Sequence, residues 1–145
     1  MGYTVRLSAL VFAASLWSCG RSSAPVNDPS EEALLAVERA VVGTWQMVSY
    51  TPELPLTGVL LMGLQRAPVV VRFDGRRAKN ASPAYSFDRA YRLSPPIGET
   101  FKVWIADDQG IETECWARFE TPNRIVYEGK TEPWRGVGVL ERVGP

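Results

Sequence analysis

The side chains of this chain that could do chemistry are few, and what is missing bounds what remains. Two cysteines are present, Cys19 and Cys115, and no histidine. The commonest general base and the commonest metal ligand are therefore both absent. Asp107 and Asp108 are adjacent carboxylates, and a carboxylate pair can share acid and base work. A strand would send two consecutive side chains to opposite faces, however, and Gln109-Gly110 mark a turn, so a solvated hairpin tip is expected there. The sequence has no G-x-S-x-G elbow, no H-E-x-x-H, no P-loop and no paired-cysteine metal site. No catalytic residue, metal site or cofactor is expected, and the chain is not expected to be an enzyme.

What remains is the chemistry of binding. Tyr85, Phe87, Arg89, Tyr91 and Leu93 alternate along one stretch and share a face, so that Tyr85, Arg89 and Tyr91 can offer polar groups to a ligand head. Thr113, Cys115 and Ala117 are small and consecutive on another face, which leaves room for a modest apolar pocket near Cys115 and Ala117. Cys115 itself is expected to be a buried, reduced, slowly reacting thiol. The run Gly58 to Leu64 is apolar without alternation. With Leu60 and Leu64 it can close the mouth of a pocket, contact a partner or face a membrane, or it can be a buried strand or helical turn.

The elements that must position these groups follow from length and pattern. A chain of 145 residues, less a removable leader, has room for one domain with one core. Basic and acidic side chains balance at 16 each, and loss of the leader with Arg6 leaves a net charge of −1. No nucleic-acid partner is expected at that balance. Arg76, Arg77 and Lys79 read as a solvated hairpin tip.

Asp28-Pro29-Ser30-Glu31 combines a capping aspartate, a proline suited to the first helical position and an early acid. A short helix is predicted to about Ala40, with Leu34, Val37 and Val41 on one face. From Gly43 the period becomes two: Trp45 and Met47, then Val69, Val71 and Phe73 before the Asp74-Gly75 turn, then the stretches already described. Phe101, Val103 and Ile105 form a further face, Ile125 and Tyr127 mark another strand, and Val137 to Val143 the last. Turn sequences separate them at Ser94-Pro95-Pro96, Thr121-Pro122-Asn123 and Gly129-Lys130. These are seven clear strands, with an eighth within Thr57 to Leu64 or near Arg77. The fold class is all-β, a small antiparallel up-and-down barrel of about seven to eight strands with a short N-terminal helix. Trp104 and Trp116 have outward parity, where a binding anchor, a local bulge and shielding by neighbouring stems all remain open. Trp134 is expected at a structural corner.

The N-terminus adds an address. A weakly basic start and the apolar run Leu7 to Trp17 are too short to span a bilayer, which needs about 20 residues. Leu16-Trp17-Ser18-Cys19 resembles the lipobox of bacterial lipoproteins. The resemblance implies a signal peptide over residues 1–18 and cleavage before Cys19. It further implies a diacylglycerol thioether and an acyl chain such as palmitate on Cys19, then a lipidated tether over residues 19–27. Gly20 after the cysteine resembles the outer-membrane sorting pattern, which places the protein in the cell envelope, facing the periplasm or the surface. Residues 28–145 would form the folded domain.

That domain resembles the lipocalin and lipocalin-like superfamily. The likeness rests on the short helix, on Gly43-Thr44-Trp45 matching a Gly-x-Trp start, on the meandering strands and on Leu140-Glu141-Arg142 near the end. It implies that Arg142 packs over Trp45 and closes the base of the barrel. Strand parity alone leaves open whether Leu140 and Arg142 or Val139 and Glu141 face inward. The expected function is a membrane-anchored envelope lipoprotein whose barrel binds a small apolar or amphipathic ligand. The alternative is a filled barrel that serves as an interaction module for another envelope protein, as an assembly factor or a protease inhibitor.

Overall fold

The computed structural model describes residues 28–56, 58–82, 85–131 and 135–145, and of these not the side chains of Val59, Leu60, Leu64, Ala81, Ser82 and Tyr85. The leader, the tether with Cys19, and Trp134 lie outside the described residues.

Helix α1 spans Pro29–Val41. The Asp28 carboxylate accepts a hydrogen bond from the Ser30 amide at 3.0 Å, and Pro29 stands where a missing N–H costs nothing. Val37 and Val41 are buried and Leu34 packs beside them, so one narrow apolar stripe docks the helix.

Eight strands follow: β1 Gly43–Pro52, β2 Val70–Phe73, β3 Arg77–Ser82, β4 Tyr85–Leu93, β5 Thr100–Ala106, β6 Glu112–Thr121, β7 Arg124–Gly129 and β8 Gly136–Gly144. Each pairs antiparallel with the next, and β8 pairs with β1, so the sheet closes in the order β1 to β8. Closure gives every strand a neighbour on both sides, although β4 meets β5 only over Tyr91–Leu93. The β1–β8 seam has register shifts between Thr44 and Trp45 and between Met47 and Ser49, and Val48 beside the second is exposed.

The eighth strand is β3, near Arg77; the apolar run forms helix α2, Gly58–Arg66, instead of a buried strand. Leu61 and Met62 of α2 are exposed. Asp74 holds the β2–β3 turn by accepting from the Arg76 and Arg77 amides at 3.0 and 2.7 Å. Those bonds, that from Arg77 foremost, lower its carboxyl pKa. Arg77 pairs with Asp88 and Lys79 with Asp74 on the surface, as a solvated tip requires.

The base of the barrel resolves the parity of the last strand. Leu140 is buried, and the Arg142 guanidinium lies over the Trp45 ring. Trp45 is 0% exposed, its indole N–H donates to the Val41 carbonyl at 2.8 Å, and Phe119 lies against it. Gly43 is needed beside them: its φ is +139°, and a Cβ there would fall 2.3 Å from an Arg142 nitrogen.

Candidate functional site

Above that base the barrel is hollow. A cavity of about 340 Å³ runs from Val41 at the end of α1 to Asp107 and Thr131 at the opposite end. The volume lies at the small end of the range typical of ligand pockets, about 300–1,000 Å³. Its walls are mostly aliphatic and aromatic, drawn among the described residues from inward positions of β1, β2 and β4 to β8, with Met47, Val71, Phe73, Phe101 and Leu140 among them.

The space exists because one wall is made of small side chains. Thr113, Cys115 and Ala117 face inward in succession on β6, opposite Ile105, Val103 and Phe101 of β5. The other neighbour of Ala117 is Tyr127 on β7. Tyr127 faces Gly138 on β8, and its ring lies directly on that glycine: a Cβ at Gly138 would come within 2.2 Å of the ring edge. Glycine thus lets an aromatic ring lie flat along the wall instead of standing across the cavity.

Among the described residues, five polar side chains and a thiol border the apolar space. The Thr113 hydroxyl donates to the Ile105 carbonyl at 3.1 Å and is satisfied. Asp107 is also occupied, because its carboxylate accepts from the Gln109 and Ile111 amides, each at 2.8 Å, and so holds the β5–β6 turn. Thr131 sits at the rim. Burial pushes the Cys115 thiol up to about 11, with the Glu114 charge adding to the shift, so it stays protonated near neutrality and is no nucleophile. Burial likewise raises the Tyr127 phenol, with smaller contributions from Cys115 and Tyr50. Arg89 is the only cation of the lining among the described residues.

Of the residues singled out from the sequence, the structure brings Arg89, Cys115 and Ala117 together on this cavity. Tyr91, also named as a candidate for a ligand head, lies beside the β2–β3 turn. Its ring meets Phe73 edge-on at 5.1 Å between centroids, and its hydroxyl accepts from the Gly75 amide at 3.1 Å. Those contacts tie it to the β2–β3 turn, and burial raises its pKa. Tyr85, Leu60 and Leu64 are named as candidates whose side chains lie outside the described residues. Tyr127 was read from the sequence only as a strand marker; its partner Gly138, in a strand otherwise rich in valine, is the signal that could have flagged it.

The outer face of β4 to β6 carries a second organised group. Both indole N–H groups of Trp104 and Trp116 donate to Glu114, at 3.1 and 2.8 Å. Arg92 stacks 3.7 Å from the Trp104 centroid while pairing with both oxygens of Glu112, and Lys102 lies 4.6 Å from the Trp116 centroid. Desolvation raises the Glu114 pKa, but the bonds from Trp116, Trp104 and Lys102 and the Lys102 charge outweigh it, and the net shift is downward. The tryptophans are half-buried under these cationic stems, with no bulge turning them inward. Among the described residues no cluster of three or more acidic or cysteine side chains could hold a metal ion. No family model, no curated protein and no solved structure matches this chain.

Proposed function

We propose that this protein binds a small apolar or amphipathic molecule inside its barrel, and does so in the cell envelope, held to the outer membrane through a lipid on Cys19. The observation that carries the reading is the cavity of about 340 Å³, walled by apolar side chains within a closed sheet. A barrel serving only as a scaffold for an outer interaction surface has no need of such a space, and dry packing would be more stable. The lipocalin-like start Gly43-Thr44-Trp45 and the placement of Arg142 over Trp45 support the same reading. The anchor rests on the lipobox-like Leu16 to Cys19. Binding without catalysis agrees with a protonated Cys115 and with carboxylates committed to turns and surface pairs.

Uptake of the neutral probe N-phenyl-1-naphthylamine tests this directly. The parent protein is expected to enhance its fluorescence saturably. Ala117→Phe, which places a ring in the cavity beside Phe101, is expected to abolish uptake while changing stability by less than about 1 kcal/mol. A loss of more than about 1–3 kcal/mol, the cost of overpacking a full core, overturns the reading.

A further inference from the structure

We infer that the cavity selects single-chain amphiphiles with an anionic head, and that Arg89 holds the head after exchanging Asp108 for it. The inference rests on the binding reading above and names the ligand class for the same site. Arg89 borders two spaces at once. It lines the interior cavity, and together with Phe87 it also lines a shallow outer cleft with Lys79, Ser86, Asp88 and Asp108. The Arg89 side chain therefore stands where the apolar interior meets water.

An arginine keeps its charge at any physiological pH, and beside an apolar wall that charge requires an anion. Among the described residues the Arg89 guanidinium has one such partner, Asp108. The two ends of this pair differ: the Arg89 side chain is 24% exposed and that of Asp108 is 88% exposed. A carboxylate so open to solvent holds its partner weakly and is readily replaced. The neighbouring charges are otherwise engaged, Asp107 with its turn amides, Asp88 with Arg77 and Lys79 with Asp74.

Asp108 thus occupies the place of a ligand head, and a competing carboxylate or phosphate monoester would bring what Asp108 lacks, an apolar tail for the cavity. The volume of the cavity suits one short chain and excludes a two-chain lipid. The Tyr127 hydroxyl, which makes no hydrogen bond among the described residues, remains on the wall as a donor for a polar atom along that chain.

The test is displacement of N-phenyl-1-naphthylamine from the purified full-length protein by dodecanoate, dodecyl phosphate and dodecanol. At least one of the two anions is expected to compete at about tenfold lower concentration than the alcohol, about 1.4 kcal/mol, and the better anion identifies the head. Arg89→Gln is expected to erase that preference and leave dodecanol unchanged. Asp108→Asn, on an exposed turn where folding is not at risk, is expected to tighten the anion several-fold by removing the internal competitor. Equal competition by alcohol and anions in the parent, a preference that survives Arg89→Gln, or an anion affinity unmoved by Asp108→Asn overturns the inference while the binding reading stands. If the parent takes up no probe and dodecanoate gives no binding heat, both fall.

Discussion

The Arg142 guanidinium lies 4.3 Å from the centroid of the Trp45 ring and donates to the carbonyls of Ala40 and Val42 at 2.6 and 2.8 Å. One side chain of the last strand therefore covers the buried tryptophan of the first and satisfies carbonyls that α1 leaves unpaired at its C-terminal end. Trp45→Ala is expected to cost about 3–5 kcal/mol, as for other large buried aromatics. Arg142→Ala is expected to cost about 2–4 kcal/mol, since it removes a stacking contact and two charge-assisted bonds together. Urea denaturation of both single variants and the double variant should reveal a coupling of at least about 0.5 kcal/mol. Additive losses would mean that the two residues act independently.

Gly138 and Tyr127 set the width of the cavity. With 2.2 Å between a new Cβ and the ring, Gly138→Ala must drive Tyr127 inward. The variant is expected to lose about 1–3 kcal/mol and much of its capacity for N-phenyl-1-naphthylamine. Gly138→Ala combined with Tyr127→Leu should recover stability, and a Gly138→Ala protein with parental denaturation midpoint and uptake would contradict this account.

Two half-buried acids tie stability to alkaline pH. The Cys115 thiol is raised from 9.0 to about 11 and Tyr127 is raised above its ordinary 10.0. Above pH 9 the unfolded chain loses these protons before the folded chain does, so the unfolded state binds fewer protons and stability falls as pH rises. The Cys115 contribution should span about pH 9 to 11 and be missing in Cys115→Ala, measured by denaturation midpoints across that range. The same shift predicts native alkylation of Cys115 at pH 8 about a hundredfold slower than in denatured protein. Equal rates would show that the thiol meets water freely.

The anchor is tested separately from the barrel. Cys19→Ser is expected to leave the precursor uncleaved by the lipoprotein route and to move the protein out of the outer-membrane fraction. Mass spectrometry of the N-terminal peptide and membrane fractionation read the two effects. An unaltered mature mass with unaltered fractionation would remove Cys19 from the proposal.

The barrel was legible in the sequence because its strands alternate cleanly: Val69, Val71 and Phe73 are buried together, as are Phe101, Val103 and Ala117, with Ile105, Thr113 and Cys115 half-buried along the same faces. The floor was legible only as a resemblance, since alternation is symmetric and could not choose between Arg142 and Glu141. The apolar run at α2 was ambiguous for a different reason. Seven residues without period two fit a helix or a buried strand equally, and the structure makes them the first part of helix α2. Tyr91 shows the limit of parity, which gives the face but not the height along the barrel: it shares a face with Arg89 and yet lies against the β2–β3 turn. Tyr127 was hidden because its position depends on a glycine in the neighbouring strand, a cross-strand relation that no single-strand pattern contains.

The fixing of α1 by Arg142 also decides how the molecule would bear a mechanical load. A pull on the chain ahead of Pro29 reaches the barrel through α1, where Val37 and Val41 dock and where Arg142 grips Ala40 and Val42. Past that grip the tension enters β1 along its own axis, with β2 on one side and β8 on the other. Where the opposing load is taken by the body of the barrel, the ladder bonds resist together in shear; a counter-pull at the C-terminus would instead part Thr44 from Gly144 first and open them one at a time. A tug at the front of the chain is therefore met first at the floor and along the seam, at the other end of the cavity from Asp107 and Thr131.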